Sequence, residues 1–380
     1  MDALNRVTSA QEAMAQAPTV VVKVGSALLV DDDGSIRREW MSALVDDLAG
    51  LVKAGRRVVL VSSGAIRVGL RLQNRDPLNL RLDEKQAAAA LGQIRLAEAY
   101  ADSFAERDLN VGQILLTQED TENRRRYLNA RATLNRLLDW GTVPLVNEND
   151  TVATAEIRFG DNDRLAARVG GMVGADLLVL LSDIDGLYTG NPKASATAEH
   201  LPLVNGGITP EIEAMAGDET SAYAKGGMVT KLAAAKIALG AGCAMVIADG
   251  RVLNPLQTLV DGAKATLFTS TETRHSAREA WLLGALSGDG VLILDDGAAR
   301  AVQAGKSLLP AGVVRVDGAF ERGDTIRITR ADGTDIGRGI AAYNSEDAAL
   351  IAGKRSADIA TILDESRGPN LIHADDLALF

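Results

Sequence analysis

Residues 19–29 read TVVVKVGSALL. Three consecutive valines, a lysine and then a glycine–serine step show no alternation of apolar and polar positions. Such a run describes a strand covered on both faces, as in a parallel sheet sandwiched by helices. Similar Val/Leu-rich runs occupy 57–61, 111–116, 143–146, 177–181 and 244–248. Helical spacing of apolar residues fills the gaps at 37–53, 84–107, 124–140, 164–173 and 231–239. This alternation predicts an α/β domain over residues 19–270, with an open, mostly parallel sheet between helices.

Beyond residue 290 the texture changes. The short pieces GVLIL, GVVRV, DTIRITR and GRGIAAY, punctuated by glycines and by Asp332-Gly333, predict a small, mostly β C-terminal domain over 290–370. One or two helices accompany it. The stretch 271–289 is the expected linker, and residues 1–18 are the expected N-terminal extension, loose or in a short helix. A chain of 380 residues, 47 % hydrophobic and 24 % charged, has room for two globular cores.

Composition excludes several classes. The net charge of −11 argues against a dedicated nucleic-acid binder, which needs a basic stripe to neutralise phosphates. Residues 290–380 hold 10 Lys+Arg against 14 Asp+Glu, and the aromatics Phe320, Tyr343 and Phe380 are too scattered for a stacking platform. The single cysteine, Cys243, forms no internal disulfide and no zinc cluster, which suits a reducing cytoplasm. The first 18 residues lack a basic segment followed by an apolar core, so no signal peptide is expected. No run of about 18 apolar residues is present to span a bilayer.

In open parallel sheets ligands sit outside the carboxyl ends of the strands. The loops expected there read KVGSALL (23–29), SSGAIRVG (62–69), NEND (147–150) with GDND (160–163), SDIDGLYTGNP (182–192) and KGGMVTK (225–231). Lys23 follows an apolar run and precedes Gly25, a pattern suited to phosphate as well as to an ordinary strand-end lysine. Ser62, Ser63 and Gly64 offer hydroxyl and amide donors ahead of a helix. In KGGMVTK two glycines lead into a helix that carries Lys231, which suits a phosphate cradle. Asp150, Asp161 and Asp163 read either as turn and helix caps or as a site gripping an ammonium group and ordering lysines around a magnesium nucleotide. A metal cage built wholly of protein is not expected, since Mg²⁺ leans on substrate phosphates.

Familiar nucleotide motifs are missing. GKS at 305–307 lacks the first glycine of a P-loop, because residue 300 is Arg300. His200, His275 and His373 lie outside every one of these loops, so histidine-based acid–base chemistry is not expected. A carboxylate acceptor needs none: with a pKa near about 4.3 it is already ionised at neutral pH. Phosphoryl transfer to it needs positioning and charge neutralisation.

The stretches VVVKVGSALL, VSSGAI, ILLTQEDTENRRRYLNARATLNRLL, VPLVNENDTVATAEIRFGDNDRLAA, LLVLLSDIDGLYTGNP and GGMVTKLAAAKIALGAG together resemble the amino acid kinase family, in its glutamate-phosphorylating branch. LLPAGV, GDTIRI, GRGIAAYNSED and IAGKRSADI resemble a PUA domain. The resemblance runs from Val20 to about Asp376. It implies the amino acid kinase fold and ATP-dependent phosphorylation of the γ-carboxylate of L-glutamate to L-glutamyl 5-phosphate, the first step of proline synthesis, with Mg²⁺. Carried over by motif, Lys23 and Lys231 neutralise the transferring phosphoryl group and Asp163 organises them. Ser63, Asp150 and Asn162 contact glutamate. Lys23, Ser182, Asp183 and the loop Lys225, Gly226, Gly227, Met228, Val229, Thr230, Lys231 hold ATP. Where the family has Gly-Thr-Gly-Gly-Met, this chain has Ala224-Lys225-Gly226-Gly227-Met228, so Lys225 is either a phosphate contact or a solvent-exposed cation. The resemblance also implies a homo-oligomer, a dimer or tetramer, with possible feedback by proline. A reductase that takes up the labile acyl phosphate is a further expected partner. The rival readings are an RNA-directed protein, from the PUA resemblance, and another carboxylate or carbamate kinase of the same fold.

Overall fold

Every residue of β1 (Thr19–Val24) is buried, as its unalternating run requires. The computed structural model describes residues 7–152, 162–192, 197–216, 227–270, 290–363 and 368–380. The chain divides into two compact units, residues 1–274 and 275–380. Among the described residues the first unit continues with β2 (Arg57–Val61), β3 (Val111–Leu116), β4 (Val143–Glu148), β5 (Leu177–Ser182), β6 (Leu187–Tyr188), β7 (His200–Leu201), β8 (Leu203–Asn205), β9 (Ala244–Asp249) and β10 (Ala265–Thr269). Its helices are α1 (Ala10–Gln16), α2 (Ser26–Leu29), α3 (Arg38–Lys53), α4 (Ala65–Leu72), α5 (Leu82–Ala105), α6 (Gln118–Glu122), α7 (Arg124–Asp139), α8 (Asn162–Val173), α9 (Pro210–Ala214), α10 (Met228–Gly240) and α11 (Pro255–Val260).

Eight strands form one sheet in the order β3-β4-β2-β1-β5-β9-β10-β8. From β3 to β9 every neighbouring pair is parallel. The chain leaves β1 toward β2, β4 and β3, then returns to the other side of β1 as β5 and β9. The strand order therefore reverses between β1 and β5, where such sheets open a ligand crevice. Two of these strands leave no clear signal in the sequence. β10 runs antiparallel to β9, and β8, only three residues long, pairs parallel with β10 at the edge. A three-residue strand carries too little periodicity to be read.

Both faces of the sheet are covered. Val20, Val22 and Val24 pack with Trp40, Leu44, Leu48, Leu96 and Tyr100 from α3 and α5. Val21, Val59 and Val61 pack with Leu165, Ala166, Leu232 and Ala235 from α8 and α10. The N-terminal segment joins this core through the short-helix alternative: α1 places Ala13 and Met14 fully out of solvent. Among the described residues no helix is long and apolar enough to cross a membrane.

In the second unit β11 (Val291–Leu294), β12 (Val313–Asp317), β13 (Thr325–Arg330), β14 (Asp335–Ile340) and β15 (Leu377–Leu379) form a sheet in the order β12-β11-β13-β14-β15. β15 lies past residue 370, where the sequence reading ends this domain. The helices Asp296–Gln303, Ser345–Ile351 and Ile359–Ile362 accompany the sheet, more than the one or two expected. Phe320 and Tyr343 are buried in this unit's own core with Leu292, Ile326 and Ile328, so both are packing residues. The expected linker 271–289 lies outside the described residues.

Candidate active site

Lys23 is paired in register with Val61 of β2 and Leu180 of β5, beside the point where the strand order reverses. Side chains alternate along a strand, so Lys23 shares the face of Val21, toward α8 and α10. It is buried, and its Nζ lies 2.6 Å from Oδ1 of Asp163 in the first turn of α8. The other oxygen of Asp163 accepts from Lys231 Nζ at 3.2 Å and from the Thr230 hydroxyl at 3.2 Å, both on the first turns of α10. One carboxylate, 1 % exposed, thus bridges two buried lysines. Burial alone would raise its pKa, but the charges of Lys23 and Lys231 outweigh that and hold it below the ordinary carboxylate range. The cluster carries a net charge of +1.

Gly227 is the N-cap of α10, and its lack of a side chain leaves the first N–H groups without a side-chain cap. A glycine-capped helix start next to Lys231 is an anion site by its backbone alone. Met228, Val229 and Thr230 form that first turn. Lys225 and Gly226 lie outside the described residues, as does Asp161. Across the crevice Ser182 ends β5, buried, and its hydroxyl donates to the exposed Asp183 at 3.2 Å.

A second cluster gathers where β2 and β4 end. Gly64 caps α4 with φ +107°, and a Cβ there would meet Val30 Cγ2 at 2.8 Å, so the turn after Ser62 and Ser63 requires glycine. Asn162 Nδ2 donates to the Ser62 carbonyl at 3.1 Å, the Ser63 hydroxyl at 2.7 Å and Asn147 Oδ1 at 3.1 Å. Its own Oδ1 is buried and accepts nothing among the described residues. A buried acceptor left open marks a place for a ligand donor. Asp150 is half-buried at the end of the same loop, and burial pushes its carboxyl up to about 6. It reads as an acid waiting for a cation.

Two side chains here carry no signal in the sequence. Gln93 of α5 is buried and accepts from Asn147 Nδ2 at 2.6 Å; Tyr100, two turns further along the same face of α5, receives a 3.4 Å hydrogen bond from Ser62, while burial pushes its phenol up. Gln93 sits in KQAAAALGQ, where glutamine is an ordinary helix former, so no local signal marks it. The cysteine, Cys243, is buried away from these loops in the core under α8 and α10.

Residues 18–249 match the model of the amino acid kinase family, and residues 290–363 match that of the PUA domain. The chain belongs to the amino acid kinase family. Among its curated relatives, a glutamate 5-kinase of Paramagnetospirillum magneticum is 53 % identical over 96 % of this chain and 99 % of that protein. A glutamate 5-kinase of Jannaschia sp. is 55 % identical over 96 % of the chain and 98 % of the relative, and one of Agrobacterium fabrum is 52 % identical over 95 % and 92 %.

Proposed function

We propose that this chain transfers the γ-phosphoryl group of ATP to the side-chain carboxylate of L-glutamate, forming L-glutamyl 5-phosphate for proline synthesis. The observation that carries the reading is the buried Lys23–Asp163–Lys231 bridge at the reversal point of the sheet. A carboxylate oxygen attacks the γ-phosphorus, the bond to the β–γ bridging oxygen breaks, and ADP leaves with that electron pair. The nucleophile is already ionised, so no general base is required. Lys23 and Lys231 stabilise charge on the transferring group, and Asp163 keeps both ammonium groups aimed at it.

Glutamate occupies the second cluster, with Asp150 and Oδ1 of Asn162 taking its ammonium and the Ser63 hydroxyl donating to a carboxylate oxygen of the amino acid. ATP lies along the start of α10, over Gly227, Met228, Val229, Thr230 and Lys231, with Ser182 and Asp183 on the opposite side. Lys225 and Gly226 complete that loop in the family pattern. Mg²⁺ fits as an ion carried in on the nucleotide. Both oxygens of Asp163 are engaged by lysines, and no group of three His, Cys, Asp or Glu among the described residues is arranged to hold a metal. Phosphate oxygens would supply its ligands, and the ion would neutralise their charge. We assign the protein to the cytoplasm, as a homo-oligomer subject to feedback by proline, with a reductase as the consumer of its labile product.

The test is hydroxamate formation from glutamate, ATP and hydroxylamine, which traps an acyl phosphate. Glutamate should support it, while N-acetylglutamate, aspartate and added RNA should not. Trapping with N-acetylglutamate in preference to glutamate would move the chain to another carboxylate kinase of the same fold.

A further inference from the structure

We propose that Gln93 is a positioning residue that sets the preference for an amino acid over a plain dicarboxylic acid, acting through a relay of side-chain amides, Gln93–Asn147–Asn162. The proposal rests on the reading of the second cluster as the glutamate site.

The polarity of this relay follows from groups that have only one hydrogen-bonding role. The Ser62 carbonyl can only accept, so Asn162 must turn Nδ2 toward it at 3.1 Å. The backbone N–H of Glu148 can only donate, so Asn147 must turn Oδ1 toward it at 2.9 Å. That same Oδ1 accepts from Asn162 at 3.1 Å, which leaves Asn147 Nδ2 facing α5. There Gln93 presents Oε1 at 2.6 Å. The far end of the relay is Asn162 Oδ1, buried and without a partner among the described residues, so the site shows an acceptor to its ligand. An ammonium satisfies that acceptor. A methylene in its place leaves it unpaired, and such unpaired buried groups discriminate strongly.

Gln93 matters because Asn147 is only 2 % exposed. Without the Gln93 oxygen its Nδ2 has no solvent to turn to, and rotating Asn147 sets two amide N–H groups against each other at Asn162. The helix that carries Gln93 is held unusually close to α4. A Cβ on Gly92 would lie 1.8 Å from the Ala65 carbonyl, and one on Gly69 1.8 Å from the Ala88 carbonyl. α4 itself starts directly after Ser62 and Ser63, so the glycine contact ties Gln93 and the serine turn into one rigid frame.

The experiment compares glutamate with glutarate, which lacks the amino group, in the hydroxamate assay on the full chain. Gln93→Met keeps the side-chain volume and removes the acceptor. It should raise KM for glutamate roughly tenfold and shrink the glutamate-over-glutarate ratio of kcat/KM by a similar factor, with kcat reduced less and KM for ATP within about twofold. Gln93→Glu keeps an acceptor oxygen and should hold that ratio within about threefold of wild type. An unchanged ratio in a folded Gln93→Met, even with lower kcat or melting temperature, overturns the proposal and leaves Gln93 a packing residue. If Gln93→Met does not fold, Gln93→Glu decides: a collapsed ratio overturns the relay. A wild-type chain that forms no hydroxamate from glutamate fails the functional reading instead, a result distinct from both.

Discussion

Two clusters at the same edge of one sheet treat charge in opposite ways. At Lys23, Asp163 and Lys231 the protein supplies both signs, and every charge is buried against a partner. At Asp150 and Asn162 it supplies a carboxyl raised by burial and an acceptor that is open among the described residues. The first cluster is finished before any ligand arrives, which keeps electrostatic stabilisation preorganised. The second is finished by its ligand, which turns the cost of burying polar groups into selectivity. On the proposed function, one site is shaped for rate and the other for recognition.

The sharpest way to break this contrast is Asp163→Asn, which leaves two buried lysines without their shared anion. Removing one partner from such a network costs about 3–5 kcal/mol, so the melting temperature should drop and kcat should fall more than about a thousandfold. Thermal melts and steady-state kinetics measure both. A folded variant with near-normal kcat would remove the carboxylate from the chemistry.

Lys231→Ala leaves Asp163 paired with Lys23 and is expected to act on rate. We expect kcat to fall about a hundredfold, about 3 kcal/mol, the scale for removing one electrostatic stabiliser. An unchanged kcat would mean that Lys23 alone neutralises the phosphoryl group.

Asp150→Asn probes the other cluster. It keeps the shape and removes the countercharge, so KM for glutamate should rise by the equivalent of about 2–4 kcal/mol while KM for ATP moves far less. Were Asp150 only a loop cap, the variant would lose about 1 kcal/mol of stability and bind glutamate normally. The pH dependence sharpens the same point. Burial raises this carboxyl to about 6, so below that pH it is protonated and cannot pair with an ammonium. kcat/KM for glutamate should then drop about tenfold per unit below about pH 6, and Asp150→Asn should flatten that limb. The ligand-free protein carries the opposite sign. Its folded-state pKa lies above the unfolded value, so stability is greatest below about pH 4 for this group and is lost as pH rises toward about 6.

The smallest effect is expected from removing the second unit. Its core of Leu292, Ile326, Ile328 and Tyr343 is separate from the cores around β1. A chain ending after Arg274 should therefore stay folded and keep kcat within about twofold. Aggregation of the truncated chain would show that the two units fold as one.

Much of the Lys23–Asp163–Lys231 cluster was legible because its signals are local. Lys23 stands between an apolar run and a glycine, and Lys231 follows a double glycine into a helix, so each is marked by its neighbours in the chain. Asn162 and Asp163 were legible as polar residues opening a helix. Gln93 was not, because its partner Asn147 lies 54 positions away and an alanine-rich helix disguises a buried glutamine. β8 and the antiparallel β10 were also missed, since pairing direction at a sheet edge is settled by which strand lies alongside and not by the strand's own residues.

What the sequence determined by itself was the sandwich: continuous Val/Leu runs can be buried only between two layers of helices, and glycine–lysine loops at their ends point to phosphate. Only the tertiary structure decided how the charges pair. Asp163 meets Lys23 and Lys231 from 140 and 68 residues away, and the polarity of the amide relay is dictated by a carbonyl and an N–H from two different strand ends. Charge pairing and hydrogen-bond direction act over a few ångströms in space, so they depend on which segments the fold brings together, whereas burial leaves its periodic trace along the chain itself.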